Sequence, residues 1–335
     1  MARIKYYLSR LLEMDYKSFF ETIELIHSRS NKSRVFVFFD IIRCSIKYGS
    51  GYVDYKIFYF ENVKDELKKT YVTRSINNEY FKLFNNREYY KFFNDKDLFL
   101  EKFRDFVSRD FINIKKHTYE EYLSFIKKHK VIIVKPIDLS GGYGVEKIDT
   151  SEYDLKQLYE KLMNNKQFLL EEVVEQADFL NKLYPCAVNT LRIVTVRYKG
   201  KTHIVCRVIR IGNNGHTVDN FHSEGMFSTI NEEGIVDKPA MDRQTNLFEV
   251  HPYTNTPIVG FKIENFNEVI EFVKKAAEVV PEVGYVGWDV AISKNGPLLI
   301  EGNHLPGYDV YQSKIHQNAD GTGKKVVFDK IIYGE

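Results

Sequence analysis

Residues 287–303, GWDVAISKNGPLLIEGN, place an Asp, a Glu and an Asn within one short apolar stretch. WDVAI and PLLIE are both strand-like, and the SKNG between them is turn chemistry, so the segment reads as a β-hairpin. With the turn centred near Asn295, Asp289 falls opposite Glu301, and directly opposed residues have Cβ atoms ~4.5–5.5 Å apart. Glu301 and Asn303 are two apart and share a face. Carboxylates that close repel one another unless a cation neutralises them. Asp289, Glu301 and Asn303 all offer hard oxygen, which suits Mg²⁺ or Mn²⁺ better than zinc. A plain strand end at the surface would carry the same residues, and spacing alone does not separate the two.

At 335 residues the chain is long enough for a substantial core and two or three subdomains. Its net charge is only +2, but residues 1–134 hold 26 Lys+Arg against 18 Asp+Glu and the remainder 22 against 28. A basic front half suits an anionic partner such as a phosphate, an acidic glycan or a membrane face. Nucleic acid is not among the expected partners. Cys44, Cys186 and Cys206 are odd in number and lack CxxC spacing, so neither a disulfide framework nor a zinc site is expected, and a reducing cytoplasm fits. The first twenty residues lack the apolar core of a signal peptide. No apolar run approaches the ~20 residues of a membrane span, which leaves at most peripheral membrane contact.

Residues 1 to about 110 show apolar spacings of three and four, as in RLLEMDYKSFFETIELI and DKDLFLEKFRDFVSRDF, and are expected to be mainly helical. From about 115 the elements alternate. TYEEYLSFIKKHK reads as a helix, VIIVKP as a strand, DLKQLYEKLMNN as a helix and QFLLEEVV as a strand. After 185 the chain turns β-rich: TLRIVTVRYKGKTHIVCRVIRIG reads as two strands around a Lys-Gly turn, followed later by the helix NFNEVIEFVKKAAEVV. The architecture is mixed α+β with at least two lobes.

VIIVKPIDLSGGYGV puts Lys135 at a strand end, just before a loop containing Gly141, Gly142 and Gly144. Glycines let backbone N–H groups approach phosphate oxygens, and a Lys adds a point charge. No GxxxxGK[ST] and no GxGxxG occurs, so a nucleotide site here would be neither a P-loop nor a dinucleotide fold. Glu171 and Glu172 end the strand FLLEEVV, where exposed backbone could bond an adenine edge. Lys96 lies near a helix start. Arg192 sits on an apolar strand, where a cation needs a partner: a phosphate, a carboxylate or an internal ion pair. His216 and His222 are six apart, with no Cys or third His to support zinc.

The order of these parts resembles the ATP-grasp superfamily of Mg²⁺-ATP-dependent carboxylate–amine ligases, over roughly residues 90–312. It runs from the DK lysine, through the strand-end Lys with its Gly-rich loop, the LEEVV hinge, the NTLRI strand and a DN loop, to D…E-x-N on a closing hairpin. More narrowly it is similar to the sugar-transfer-associated branch and its teichuronopeptide-type relatives of bacterial surface-polysaccharide biosynthesis. The resemblance implies an α+β ATP-grasp fold whose two lobes clamp ATP, with a helical N-terminal region over 1–114. It places a small lobe with a Gly-rich lid over 115–178 and a large lobe with the metal hairpin over 179–335. It also implies site roles. Lys96 and Lys135 would hold phosphates, and the lid Ser140, Gly141, Gly142, Tyr143 and Gly144 would close over the γ-phosphate. Glu171, Glu172 and the backbone to Val174 would hold adenine, and Asp178 the ribose. Arg192 would stabilise charge during phosphoryl transfer, while Asp289, Glu301 and Asn303 would bind two Mg²⁺ ions. The implied activity forms an amide through an acyl phosphate, from a carboxylate-bearing sugar or glycan precursor and an amine or amino acid. A kinase on the same site, or a silent ATP-binding protein of a polysaccharide assembly complex, would share these residues. Related ligases often carry Asn followed by Gly-Gly before the metal hairpin; here Asn220 is followed by Glu224 where the first Gly would fall.

Overall fold

The structure, a computed structural model, describes residues 14–138, 143–216, 219 and 225–334. The chain forms two units, one comprising the described residues of Met1–Tyr80 together with Tyr308–Glu335, the other Phe81–Gly307. Helices dominate the first. Helix α1 (Tyr16–Ser30) starts where the Asp15 carboxylate accepts from the Ser18 N–H, and α2 (Arg34–Tyr48) where Ser33 accepts from Phe36 N–H. Phe19, Ile23 and Ile26 of α1 share a core with Val37, Ile41 and Cys44 of α2 and with Tyr55, Phe58, Phe60 and Tyr71. Among the described residues no helix is long and apolar enough to cross a membrane.

The second unit holds two antiparallel sheets. The smaller is built from β1 (Phe111–Asn113), β2 (Val131–Lys135), β3 (Glu146–Asp149) and β4 (Leu169–Glu172), in the order β1-β4-β2-β3. Two amphipathic helices, Tyr119–Lys128 and Leu155–Asn164, bury Tyr122, Ile126, Leu158 and Leu162 against Ile132, Val134, Ile148 and Leu170. Thr118 and Glu121 close the first of these helices with a capping box.

The larger sheet contains β5 (Thr190–Tyr198), β6 (Lys201–Ile211), β7 (Met226–Thr229), β8 (Ala240–Met241), β9 (Leu247–Phe248), β10 (Tyr285–Ser293) and β11 (Gly296–Asn303), in the order β11-β10-β5-β6-β7-β8-β9. Lys199 and Gly200 turn β5 into β6 with φ of 48° and 80°, the positive values a primed hairpin turn requires. Trp288 on β10 is fully buried; its indole N–H donates to Thr195 Oγ1 at 2.9 Å and its ring meets Phe93 and Phe103 edge-on.

The deciding hairpin turns through Lys294 and Asn295, with Ser293 paired to Gly296. Continued regularly, that register would set Asp289 opposite Ile300. Instead Val290 pairs with Leu299 and Asp289 with Glu301, so Ile300 is an extra residue on β11. The expected opposition of Asp289 and Glu301 is therefore present, but a β-bulge produces it rather than a turn centred on Asn295. Bulges of this kind re-aim side chains and gather next to functional sites.

Candidate functional site

Asp289 lies on β10, next to the edge strand of the larger sheet, where its neighbours across β5 and β11 are Arg192 and Glu301. Arg192 grips it with both fork nitrogens, Nε to Oδ1 and Nη2 to Oδ2 at 2.8 Å. Arg210 on β6 donates Nη1 to the same Oδ2 at 2.8 Å, and its Nη2 lies 3.5 Å from Asp219 Oδ1. Asp219 in turn accepts from the Thr190 N–H at 2.9 Å and from the Thr190 hydroxyl. Alternate strand positions thus feed charge into one patch. Burial pushes the Asp289 carboxyl up, but the guanidinium charges of Arg192 and Arg210 outweigh it and hold the group below its ordinary range. Glu301 goes the other way: burial and the adjacent Asp289 charge raise it. Asp219 is raised by burial even against Arg210. Gly287 is closely packed: a Cβ there would lie 3.0 Å from Pro306 Cβ and 3.2 Å from Arg192 Cδ and Nη1, so a larger residue would press on the Arg192 side chain.

A second patch sits on the smaller sheet. Lys135, the last residue of β2, reaches the Glu171 carboxylate on β4 at 2.5 Å. Arg109 donates Nε to the other oxygen of Glu171 at 2.7 Å. All three side chains are buried. Burial raises Glu171, yet Arg109 and Lys135 hold it below its ordinary value. Arg109 also donates Nη1 to the Leu299 carbonyl at 2.5 Å and Nη2 to the Ile300 carbonyl at 3.3 Å. One guanidinium therefore joins the smaller sheet to the bulge that sets Glu301 against Asp289. Lys96, at the start of the helix Lys96–Lys102, points its amine at the Ile137 carbonyl at 3.5 Å. Burial lowers its pKa, with Glu301 and Glu171 opposing and Lys135 reinforcing that shift. Lys96, Lys135, Glu171 and Glu301 thus lie within electrostatic reach of one another.

The remaining expected residues are spread around this centre. Tyr143 is exposed, and Gly144 turns with φ of 72°, where a Cβ would come 2.8 Å from Pro136 Cγ; its carbonyl accepts from Gln167 Nε2 at 3.0 Å. Glu172 accepts from the Asp110 N–H at 3.0 Å, so its carboxylate braces β1. Among the described residues no hydrogen bond engages the Val174 backbone just beyond β4, whereas the Glu171 side chain is committed to its two cations. A role for Glu171 at an adenine edge would therefore rest on main-chain atoms. Asp178 lines a separate cavity of about 450 Å³ with Lys182, Glu264, Glu268 and Lys294, which contains none of the Lys135 or Asp289 groups. Asn303 Oδ1 accepts from the Leu305 N–H at 2.9 Å. Ser140, Gly141, Gly142, Asn220, His222 and Glu224 lie outside the described residues.

Sequence reasoning missed Arg109, Arg210 and Asp219. Arg210 had a signal, being a cation inside the apolar strand of VCRVIRIG, the pattern that singled out Arg192. Arg109 had none, because SRD reads as the polar end of a helix and its partners are 62 and 190 residues away.

Two antiparallel sheets, one ending in a buried lysine and the other carrying opposed carboxylates on its closing hairpin, define an α+β protein of the ATP-grasp class. The chain belongs to the sugar-transfer associated ATP-grasp family, whose pattern it matches over residues 75–324. Among solved structures it is similar to the ATP-grasp ligase PsnB complexed with minimal precursor, at 14% identity and a TM-score of 0.45 over 75% of this chain and 64% of that one. It is also similar to D-alanyl-alanine synthetase A from Vibrio cholerae O1 biovar eltor, at 16% identity and a TM-score of 0.41 over 67% and 59%. L-amino acid ligase from Bacillus licheniformis aligns at 14% identity and a TM-score of 0.40 over 72% and 48%. The chain thus spans less than two thirds of the length of these structures. No curated protein sequence matches it.

Proposed function

We propose that the chain is a Mg²⁺-ATP-dependent carboxylate–amine ligase acting on a carboxylate-bearing sugar or glycan precursor, with an amine or amino acid as second substrate. The observation that carries this reading is the pairing of Asp289 with Glu301 beside Arg192, within electrostatic reach of Lys96. A hard cation fits that donor set, because two buried carboxylates, one of them held up in pKa by burial and by the other's charge, are relieved by a divalent ion. Mg²⁺ bound there would supply charge neutralisation for phosphate oxygens.

The chain's own residues have distinct parts in this reading. Lys96 and Lys135 hold phosphates, Lys135 being fixed by Glu171 so that its charge is already oriented. The unpaired backbone at Val174 meets the adenine edge, and Asp178 the ribose. The part of a lid that would keep water from an activated carboxylate falls to Ser140–Gly144, of which Tyr143 and Gly144 are described. Arg192 and Arg210 stabilise the charge that develops as the phosphoryl group moves to the substrate carboxylate, before the amine displaces phosphate. Asp289, Glu301 and Asn303 would hold the metal. The small lobe of this clamp would be residues 115–178 together with β1, which belongs to the same sheet, and the large lobe would run from 179 to 307, because Tyr308–Glu335 fall in the first unit. The basic excess of residues 1–134 favours an acidic acceptor such as a uronic acid.

The test is Mg²⁺-dependent ADP release across a panel of uronic acids and other carboxylates, with hydroxylamine in place of the amine. A hydroxamate formed with one acid supports the ligase half-reaction and names the acid. ADP with a phosphorylated product and no hydroxamate would replace this reading by a kinase.

A further inference from the structure

Helix α2, RVFVFFDIIRCSIKY, is apolar on two sides. Val37, Ile41 and Cys44 are fully buried in the core of the first unit, yet Val35, Phe39, Ile42 and Ile46 are 67%, 62%, 37% and 59% exposed. The exposed set is spaced four, three and four residues apart. That is the spacing of a seam along which one helix packs on another. Phe36 widens the seam, and Phe20 of α1 extends it through a chain of edge-on rings running Phe20–Phe19–Phe38–Phe39. A large side chain presents on the order of 150–200 Å², so these six residues offer roughly 600 Å² of apolar surface. That sits at the top of the range for the largest patch on a monomer. It is also most of the ~800 Å² per partner of a standard-size interface.

The charges around the seam select what covers it. A bilayer surface is met by helices whose polar flank carries unpaired cations. Here Arg34 is held by Glu24 at 2.6 and 2.8 Å, Arg43 by Asp65 at 2.7 and 2.9 Å, and Lys47 by Asp65 at 2.9 Å. Each of these three cations has a carboxylate partner, Asp65 serving two of them, as at a protein interface. An isologous two-fold needs a single self-complementary patch, and a helix seam is one. We propose that the α2 seam is a homodimer interface, in which α2 of one copy packs against α2 of a second with the two-fold passing between Phe39 and Ile42.

Light scattering behind size exclusion on the full chain tests this without reference to nucleotide chemistry. The wild-type chain is expected at twice its 39.4 kDa in the micromolar range. Phe39→Glu and, independently, Val35→Lys are expected at the single mass. Both positions face outward, so the helical far-UV spectrum and melting temperature of each variant should match the separated wild-type monomer. A wild-type chain of single mass at tens of micromolar overturns the proposal, as does a folded Phe39→Glu that remains dimeric. Co-sedimentation of the wild-type chain with phosphatidylglycerol-rich vesicles as a monomer, lost in Phe39→Glu, overturns it in favour of a lipid surface.

Discussion

The Lys135–Glu171–Arg109 patch and the Asp289–Glu301–Arg192–Arg210 patch are built from the same residue types, and they are biased in opposite directions. Around Glu171 two cations face one carboxylate, with Lys96 within reach as a third. Around Asp289 two arginines face three carboxylates, Asp219, Asp289 and Glu301. The first patch keeps a surplus of positive charge and the second a surplus of negative charge, both out of water where screening is weak. A buried cluster kept only for stability gains by being neutral, because each uncompensated charge costs solvation. Complementary surpluses suit a ligand that carries both signs, such as a metal-bound polyphosphate.

Asp289→Asn tests that contrast most severely. It removes the charge between two guanidinium groups, so unfolding in urea is expected to show a loss of about 3 kcal/mol, together with a fall in ADP release on the order of 100-fold. Normal turnover in the variant would separate the hairpin from catalysis. Lys135→Ala is milder for stability, about 1–2 kcal/mol, because Arg109 still satisfies Glu171. Its nucleotide Kd, read by calorimetry, should nevertheless rise on the order of tenfold or more; an unchanged Kd would make the Lys135–Glu171 pair purely structural.

Arg109→Lys keeps the charge and loses the fork. It is expected to cost about 1 kcal/mol and to raise the Mg²⁺ concentration needed for half-maximal ADP release, since the Leu299 and Ile300 carbonyls lose their anchor. Glu301→Gln should have the smallest effect on folding, and one of opposite sign. The folded-state pKa of Glu301 lies above its ordinary 4.5, so the carboxyl's contribution to stability is present below that value and is lost as pH rises through the raised one. In metal-free buffer Glu301→Gln is therefore expected to melt higher than wild type at neutral pH and no higher below pH 4.5. A lower melting point at neutral pH would mean that the Glu301 carboxylate is satisfied without metal.

The helices, the two β-rich segments and the hairpin were legible because each depends on periodicity and local turn chemistry. The Lys199-Gly200 turn was readable from two residues. The Asp289–Glu301 pairing was readable in outcome but not in cause, since nothing in PLLIEGN marks Ile300 as the bulged residue; Arg109, from the bend that leads into β1, holds that carbonyl. Arg109 shares this character, since its partners are ones that only the folded chain brings near. Arg210 stood out as a cation on an apolar strand and Asp219 as part of the DN loop, but their convergence on Asp289 and Thr190 was not readable from spacing. Glu171 shows the converse: its position at the hinge was plain, but the commitment of its carboxylate to Lys135 and Arg109 was not.

Trp288 is the single tryptophan among 23 tyrosines, and it directly precedes Asp289. Its buried ring and its bond to Thr195 give the chain one emitter at one address. Light absorbed at the red edge of the protein spectrum is captured there and nowhere else. The fluorescence of the unlabelled chain is consequently a local signal from β10 rather than an average over the fold. Titrated with metal or nucleotide, it reports events at the hairpin without any dye or tag.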